Sequence, residues 1–343
     1  MMRLPQPWLL ALTTAALALL LIGSLATGPM SLSLGESLRA LFAGQQSGIE
    51  AHKLLIVQEI RLPRTLLCIA VGAILGLCGA VMQGLFRNPL ADPGIIGVSG
   101  GAALGAALAI VLLAPLSQQW QSLLGLGLLP LLAFLGGALT TTLVYLLGTR
   151  EGGTSVTVML LAGVAITALS GAVIGLLTYL ADDQMLRNLS LWQMGSLAAG
   201  KPLDVALTLA TLAALLWLFM RDANPLNALL LGEGEARHLG VNVQALKRRL
   251  ILLTAAGVGV AVAVAGMIGF VGLVVPHLVR LLAGPNHIRL LPLSALLGAA
   301  LLLGADMLAR TLLAPAELPV GIITALLGVP FFIWLLVKSR RTL

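Results

Sequence analysis

Charge is what this sequence has least of. Only 10% of its 343 residues are charged, against about 25% in a soluble globular domain. With 59% hydrophobic residues and a mean hydropathy of +1.04, a water-soluble fold is excluded. Cysteine is nearly absent. Cys68 and Cys78 share one apolar run, and on a helix they lie about 15 Å apart, beyond disulfide reach, so both read as small core residues. No His/Cys spacing suits a metal, and no nucleophile elbow or glycine-rich phosphate loop occurs. No metal or permanent cofactor is expected, and no ATP site of the chain's own. Carboxylates are missing from the middle of the apolar runs. That argues against an ion-gradient-driven secondary transporter, which needs buried ionisable groups along its path. An intramembrane enzyme has one candidate, His277 beside Pro276, without an acidic or metal-binding companion.

The runs that remain are rich in Leu, Ala, Val and Gly. They favour helices over a barrel, whose strands alternate apolar and polar residues. At about 20 residues per crossing, the chain has room for roughly ten spans and no separate soluble domain. The expected architecture is an all-α integral membrane protein with about ten transmembrane helices and one transmembrane domain over 1–343. Spans are expected near 8–28, 64–85, 95–114, 128–148, 158–180, 205–220, 250–266, 270–283, 290–309 and 319–337. Although SLATGP near residue 26 resembles a cleavage site, the first run is long enough to cross and reads as a retained span. An even number of spans with both termini cytoplasmic places thirteen Lys/Arg inside and seven outside, of the twenty in the chain, as the positive-inside rule asks. The net charge of +7 is accounted for by those loop ends, and nucleic acid is not implied as a partner. Glycines recur every fourth residue at 72 and 76, and again at 97, 101 and 105, marking faces for close helix contact.

The longest polar interruption of the second half is RDANPLNALLLGEGEARHLGVNVQALKRR, residues 221–249. It carries eight charged residues, five of them basic, which place it in the cytoplasm. Gly232 and Gly240 bracket a segment that suits a small surface helix. A structureless loop of this length is uncommon unless it is functional, so it reads as a docking platform, the alternative being a solvated inter-span loop without a partner. On the outer side, Arg61, Arg64 and Arg310 stand at span ends. There they either snorkel to the interface or form a rim for acidic residues of a soluble partner.

A collinear set of motifs carries a resemblance: RLPR at 61–64, QGLFRNPLADPGIIGVSGGAALG at 83–105, LLAGVAI at 160–166, WQMGSL at 192–197, LGEGEARHLG at 231–240, GFVGLVVPHLVRLLAGPNHIRLLPLSALLGA at 269–299 and AELPVGIITALLGVPFFIWLL at 316–336. Covering the chain nearly end to end, the set resembles the permease subunits of bacterial ABC importers for iron-siderophores, heme and vitamin B12, of the FecCD-like type II fold. The resemblance implies a homodimer in the bacterial inner membrane with its pathway between the two copies. Two cytoplasmic ABC ATPase subunits and a periplasmic substrate-binding protein are the implied partners, beside membrane lipid. It implies docking of the binding protein at Arg61, Arg64 and Arg310, and ATPase coupling at Glu235, Ala236, Leu239 and Gly240. It implies a cytoplasmic gate at Asn88 and Leu90, with Val156 and Thr157 opposite; many members have a small polar residue where Val156 stands. The stretch GLFRNPLADPGIIGVS resembles the heme branch, since siderophore permeases more often read RNPLASP and the B12 branch has an acidic residue in place of Arg87. The implied cargo is heme, with a ferric siderophore or cobalamin as the alternative. Arg187, Met185, Met194, Tyr179 and His52 are the candidate residues of the pathway.

Overall fold

The computed structural model describes residues 6–30, 32–42, 50–113, 127–150, 153–198 and 200–340. All but Gly127 of the outer loop expected at 115–127, and Arg3 and Arg341, lie outside these residues. Among the described residues the chain is helical but for one two-stranded hairpin, β1 (Thr149–Arg150) with β2 (Gly153–Thr154). Seven helices among the described residues are long and apolar enough to cross a membrane: α1 (Pro7–Ala26 within Gln6–Ala26), α3 (Ala51–Leu85), α5 (Leu128–Gly148), α6 (Val156–Leu180), α8 (Pro202–Arg221), α11 (Val243–Ala265) and α13 (His287–Thr311). The apolar helices α4 (Val98–Val111), α12 (Val271–Ala283) and α14 (Val320–Arg340) complete the ten. Four more helices are shorter and more polar or connect spans: α2 (Leu34–Phe42), α7 (Asp183–Gln193), α9 (Ala223–Leu231) and α10 (Glu233–His238).

The central rod is α3. Its apolar window is 89% buried, because α8, α11, α12 and α13 all pack against it. Small residues make that possible. A side chain at Gly72 would meet the Gly298 carbonyl at 2.4 Å, and one at Gly79 the Gly272 carbonyl at 1.9 Å, so α13 and α12 approach α3 backbone to backbone. The rod also starts earlier than its hydropathy suggests. The sequence places the second span from residue 64, whereas the helix begins at Ala51 and passes through a π-helical section, Ile56–Arg61. Polar residues hid this part. Its first turns dock on α2 through Leu32, Ala40 and Val57 and the Lys53–Glu36 ion pair at 2.8 Å.

The span expected at 95–114 is shorter than drawn, and the one expected at 270–283 is as short as drawn. α4 has 14 residues and α12 has 13, about 20 Å each and less than the hydrocarbon thickness of about 30 Å. The link from α11 to α12 is irregular backbone, tolerable at membrane depth only where protein surrounds it or water fills a cavity. Protein packs around it: the Ser196 N–H donates to the Ala265 carbonyl at the end of α11 (2.8 Å), and the same segment is held to α14 by bonds from Val320 to Gly195 (3.1 Å) and from Gly321 to Met194 (3.1 Å). Within the outer segment 181–204, expected as a connection, lies helix α7. Asp182 caps it by accepting from the Met185 N–H at 2.8 Å. That is the ordinary N-cap arrangement.

Candidate functional site: an outer arginine cluster and an inner platform

Helix ends divide the polar residues into two groups at opposite ends of the bundle. At one end the first turns of the membrane part of α3 meet the last turns of α13 and α1. Arg61, Arg64 and Arg310 come together there, yet not as free forks on a rim. All three are buried, 3%, 6% and 2% exposed. Arg61 donates to the carbonyls of Leu25 (2.7 Å), Ala26 (2.8 Å) and Met30, so it caps the C-terminus of α1, where carbonyls lack helical donors and the helix dipole favours a cation. Arg310 donates to Ser24 Oγ (2.8 Å) and the Thr27 carbonyl (3.0 Å). Arg64 donates to Asp306 Oδ1 through Nε (3.0 Å) and pairs with Glu317 Oε2 at 2.8 Å. Arg310 Nε lies 3.0 Å from Asp306 Oδ2, but its N–H is aimed at the Asp306 carbonyl (3.4 Å), so Oδ2 is paired by charge alone. Asp306 is fully buried. Sequence reasoning placed it near a span end without a role; it is the anion between two arginines. A cavity of about 240 Å³ opens beside the cluster, lined by Gly28, Pro29, Met30, Ile56, Ile60, the three arginines and Glu317.

At the other end lies the platform. α9 and α10 follow α8; α10 is the small helix that the bracketing glycines suggested, α9 was not expected, and Gly232 takes φ +128° between them. Two ion pairs clamp the platform to the first turns of α11. Asp222 receives both Nε (2.7 Å) and Nη2 of Arg249, and Glu233 receives Lys247 Nζ at 2.6 Å. Lys247, 2% exposed, also donates to the Thr154 carbonyl (3.0 Å), while the Thr154 N–H donates to Gln244 Oε1 (3.0 Å). The platform is thereby tied to the hairpin that leads into Val156 and Thr157. Glu235, Leu239 and Gly240 are exposed as expected. Ala236 is not: it is fully buried in the main core, and its carbonyl accepts the Val241 N–H at 2.9 Å. It seats α10 instead of facing a partner. The exposed apolar residues here are Leu231 (68%) and Leu239 (64%); Leu231 was missed.

The first of the two gate expectations is the turn after α3. Asn88 is exposed, and its side chain accepts the Leu90 N–H at 2.9 Å, a short polar turn that fixes the proline loop. Arg87 takes φ +47°. Asp92 caps the following 3-10 turn by accepting from Gly94 (2.7 Å); burial pushes its carboxyl up, against the pull of that bond. Close by, Gln83 accepts from Arg280 (3.1 Å) and donates to the Leu273 carbonyl (3.0 Å).

The pathway candidates separate. Tyr179, 86% exposed, ends α6, and Met185 and Arg187 follow on α7, with Met194 just beyond it. His52 stands apart on the first turn of α3, beside α2, paired with Glu50 at 3.3 Å. Among the described residues no group of three or more His, Cys, Asp or Glu could hold a metal ion. The helix α6 is bare along much of its length, its apolar window 17% buried.

Residues 16–338 match the FecCD transport family. The Hemin transport system permease protein HmuU of Yersinia pestis is 48% identical over 330 residues, 95% of this chain and 94% of the relative. The Vitamin B12 import system permease protein BtuC of Klebsiella pneumoniae is 42% identical over 343 residues, 98% of this chain and 96% of the relative. Among solved structures, one described as an inward-facing metal-chelate type ABC transporter superposes with TM-score 0.83 at 34% identity, covering 97% of this chain and 99% of that one. PsaBC from Streptococcus pneumoniae, in complex with Fab, gives TM-score 0.58 at 21% identity over 81% and 91%, a likeness of fold.

Proposed function

The chain belongs to the FecCD transport family, and from that premise we propose that it is the permease of an ATP-driven importer of hemin in a bacterial inner membrane. The observation that carries the cargo is the 48% identity to a hemin permease across 95% of the chain. The cobalamin reading stands second, since B12 permeases reach 42–44%. The permease has no catalytic site and no resident cofactor; ATP hydrolysis belongs to two ABC ATPase subunits on the cytoplasmic side, which meet the platform at Leu231, Glu235, Leu239 and Gly240. Both termini are cytoplasmic.

Two copies pair through lipid-depth faces left bare by α6 and α14, on which Leu161, Val164, Leu326 and Ile333 are exposed. The pathway runs between them, past Tyr179, Met185, Arg187 and Met194, and closes inside at the turns of Asn88 and Leu90 and of Val156 and Thr157. The periplasmic binding protein docks over the arginine cavity. Three guanidiniums against Asp306 and Glu317 leave an excess positive charge there. An incoming carboxylate reaches Arg64 by competing with Glu317, the one partly exposed anion of the cluster, 34% exposed at its side chain.

The test is uptake into proteoliposomes with the ATPase inside and the binding protein outside. ATP-dependent entry of hemin, and not of cobalamin or ferric siderophores, is the expected result. Entry of cobalamin alone replaces the cargo; no ATP-dependent uptake by the assembled complex overturns the importer reading.

A further inference from the structure

We propose that His287 is the joint between the ATPase-facing platform and the inner gate turn, a positioning residue that carries movement of α9 into the last turn of α3. This rests on the importer reading above. His287 is fully buried at the start of α13. Its backbone N–H donates to Asn227 Oδ1 at 2.8 Å, and its ring Nδ1 lies 3.0 Å from the same oxygen. A backbone N–H only donates, so that oxygen is the acceptor of both, and Nδ1 carries the ring proton. Asn227 stands in α9, and its Nδ2 donates to Asn286 Oδ1 at 2.9 Å, the residue that caps α13. The platform is thus keyed to the N-terminus of α13 by one side chain.

The opposite edge of the ring carries the second half of the joint. His287 Nε2 has no hydrogen-bond partner and faces Gly84 so closely that a side chain there would meet it at 2.2 Å. Gly84 accepts the Arg87 N–H through its carbonyl (3.2 Å), and Arg87 leads into Asn88. A ring wedged between α9 and the end of α3 transmits displacement because packed groups have no slack to absorb it. A second point of approach agrees: the Arg87 guanidinium lies 3.9 Å from where a side chain at Gly232 would stand. Turn and platform therefore meet at the middle of α9, through Asn227, and again just past its C-terminus, at Gly232.

The experiment measures hemin taken up per ATP hydrolysed by the assembled complex, together with hydrogen exchange over residues 86–92. His287→Leu keeps bulk and loses the bond to Asn227; His287→Asn keeps a donor near the Nδ1 position; Gly84→Ala pushes the ring away without touching the bond. Uptake per ATP is expected to fall about tenfold in H287L and G84A, within the usual span of coupling between sites, and to return only in part in H287N, which restores the donor to Asn227 but not the ring edge against Gly84. Exchange over 86–92 is expected to respond to ATP in the wild type and to lose that response in H287L. A merely structural role would lower uptake and hydrolysis together, leaving their ratio unchanged, and that result overturns the proposal. So does an ATP response that survives in H287L. The exchange response needs no transported cargo, so a wild type that shows it without taking up hemin sinks the cargo reading and supports the joint.

Discussion

Replacing Asp306 with Asn tests whether the outer arginines are structural. The carboxylate is fully buried and lies within 3.0 Å of both Arg64 and Arg310. Asparagine keeps the volume and an acceptor but removes the charge. Arg64 retains Glu317 at 2.8 Å. Arg310, 3% exposed at its side chain, retains neutral acceptors alone, namely Ser24, the Thr27 carbonyl and a long bond to the backbone carbonyl of residue 306, so the uncompensated charge falls mainly there. Breaking a buried pair costs about 3–5 kcal/mol, and the partners left to both arginines point to the lower end. At roughly 2 °C per kcal/mol for a chain of this size, the purified permease should melt on the order of 6 °C lower in D306N. The double variant D306L/R310M supplies the sign check. Replacing both partners of a buried pair by apolar groups is often neutral, so the double should melt above the single even though it also loses a cap on α1. An unchanged melting temperature in D306N, or a double variant below the single, would refute this account of the cluster.

Other outcomes follow from the same geometry. Glu317→Gln should tighten binding-protein docking several-fold, because it frees one fork of Arg64; weaker docking, read by surface binding at low salt, removes the competition model. Leu239→Asp should weaken ATPase assembly about 10- to 100-fold, the cost of losing one buried apolar side chain of about 1.5–3 kcal/mol, with the permease melting as before; co-purification of the complex at wild-type yield counts against the platform face. Ala236→Arg should instead lower the melting temperature of the permease alone, since that site is closed. Glu36 has its pKa lowered to about 2 by hydrogen bonds from Lys53 and Ser33, below the usual carboxylate value of about 4.3. A depressed pKa stabilises fully above the unfolded value, and the gain is lost as pH falls toward the folded one. Proteolysis near Phe42 should therefore be flat down to pH 5 and accelerate below about 4; a constant rate across that range rejects the Glu36–Lys53 latch.

The spans were legible because hydropathy is a local property. α5 begins and ends at the expected residues, and the glycines after residue 265 do separate two helices. What hydropathy does not carry was missed. Residues 51–61 hold His52, Lys53, Gln58 and Glu59, and read as a loop, yet packing on α2 makes them helix. α7 reads as a connection because DQMLRNLSLWQ mixes polar and apolar residues; the cap at Asp182 was the available signal. For the site, motif position gave the right neighbourhood but not the face. Nothing in EGEARHL says that Ala236 points inward while Leu239 points out. Arg64 is bonded to a carboxylate 242 residues away, and His287 to an asparagine 60 residues away. Such pairings exist only once the bundle has formed.

The two polar ends differ in how firmly they are held, and the difference assigns the motion. At the outer end three guanidiniums, whose geometry is rigid and many-fingered, bind carbonyls of α1 and two carboxylates within the bundle itself. Moving α1, α3 or α13 relative to one another there breaks several charged bonds at once. At the inner end the ties run through short helices. α9 has 9 residues and α10 has 6, too few to be stable without their packing. Each branch is thin: Glu233 to Lys247 to Thr154 toward the start of α6, and Asn227 to His287 toward the end of α3. Local opening free energies are lowest where few bonds must break, so a force applied to α10 displaces the inner turns before it disturbs the outer cluster. The two branches leave one platform and reach two different turns, so on the importer reading proposed above a single push at Leu239 would move both turns, Asn88–Leu90 and Val156–Thr157, together.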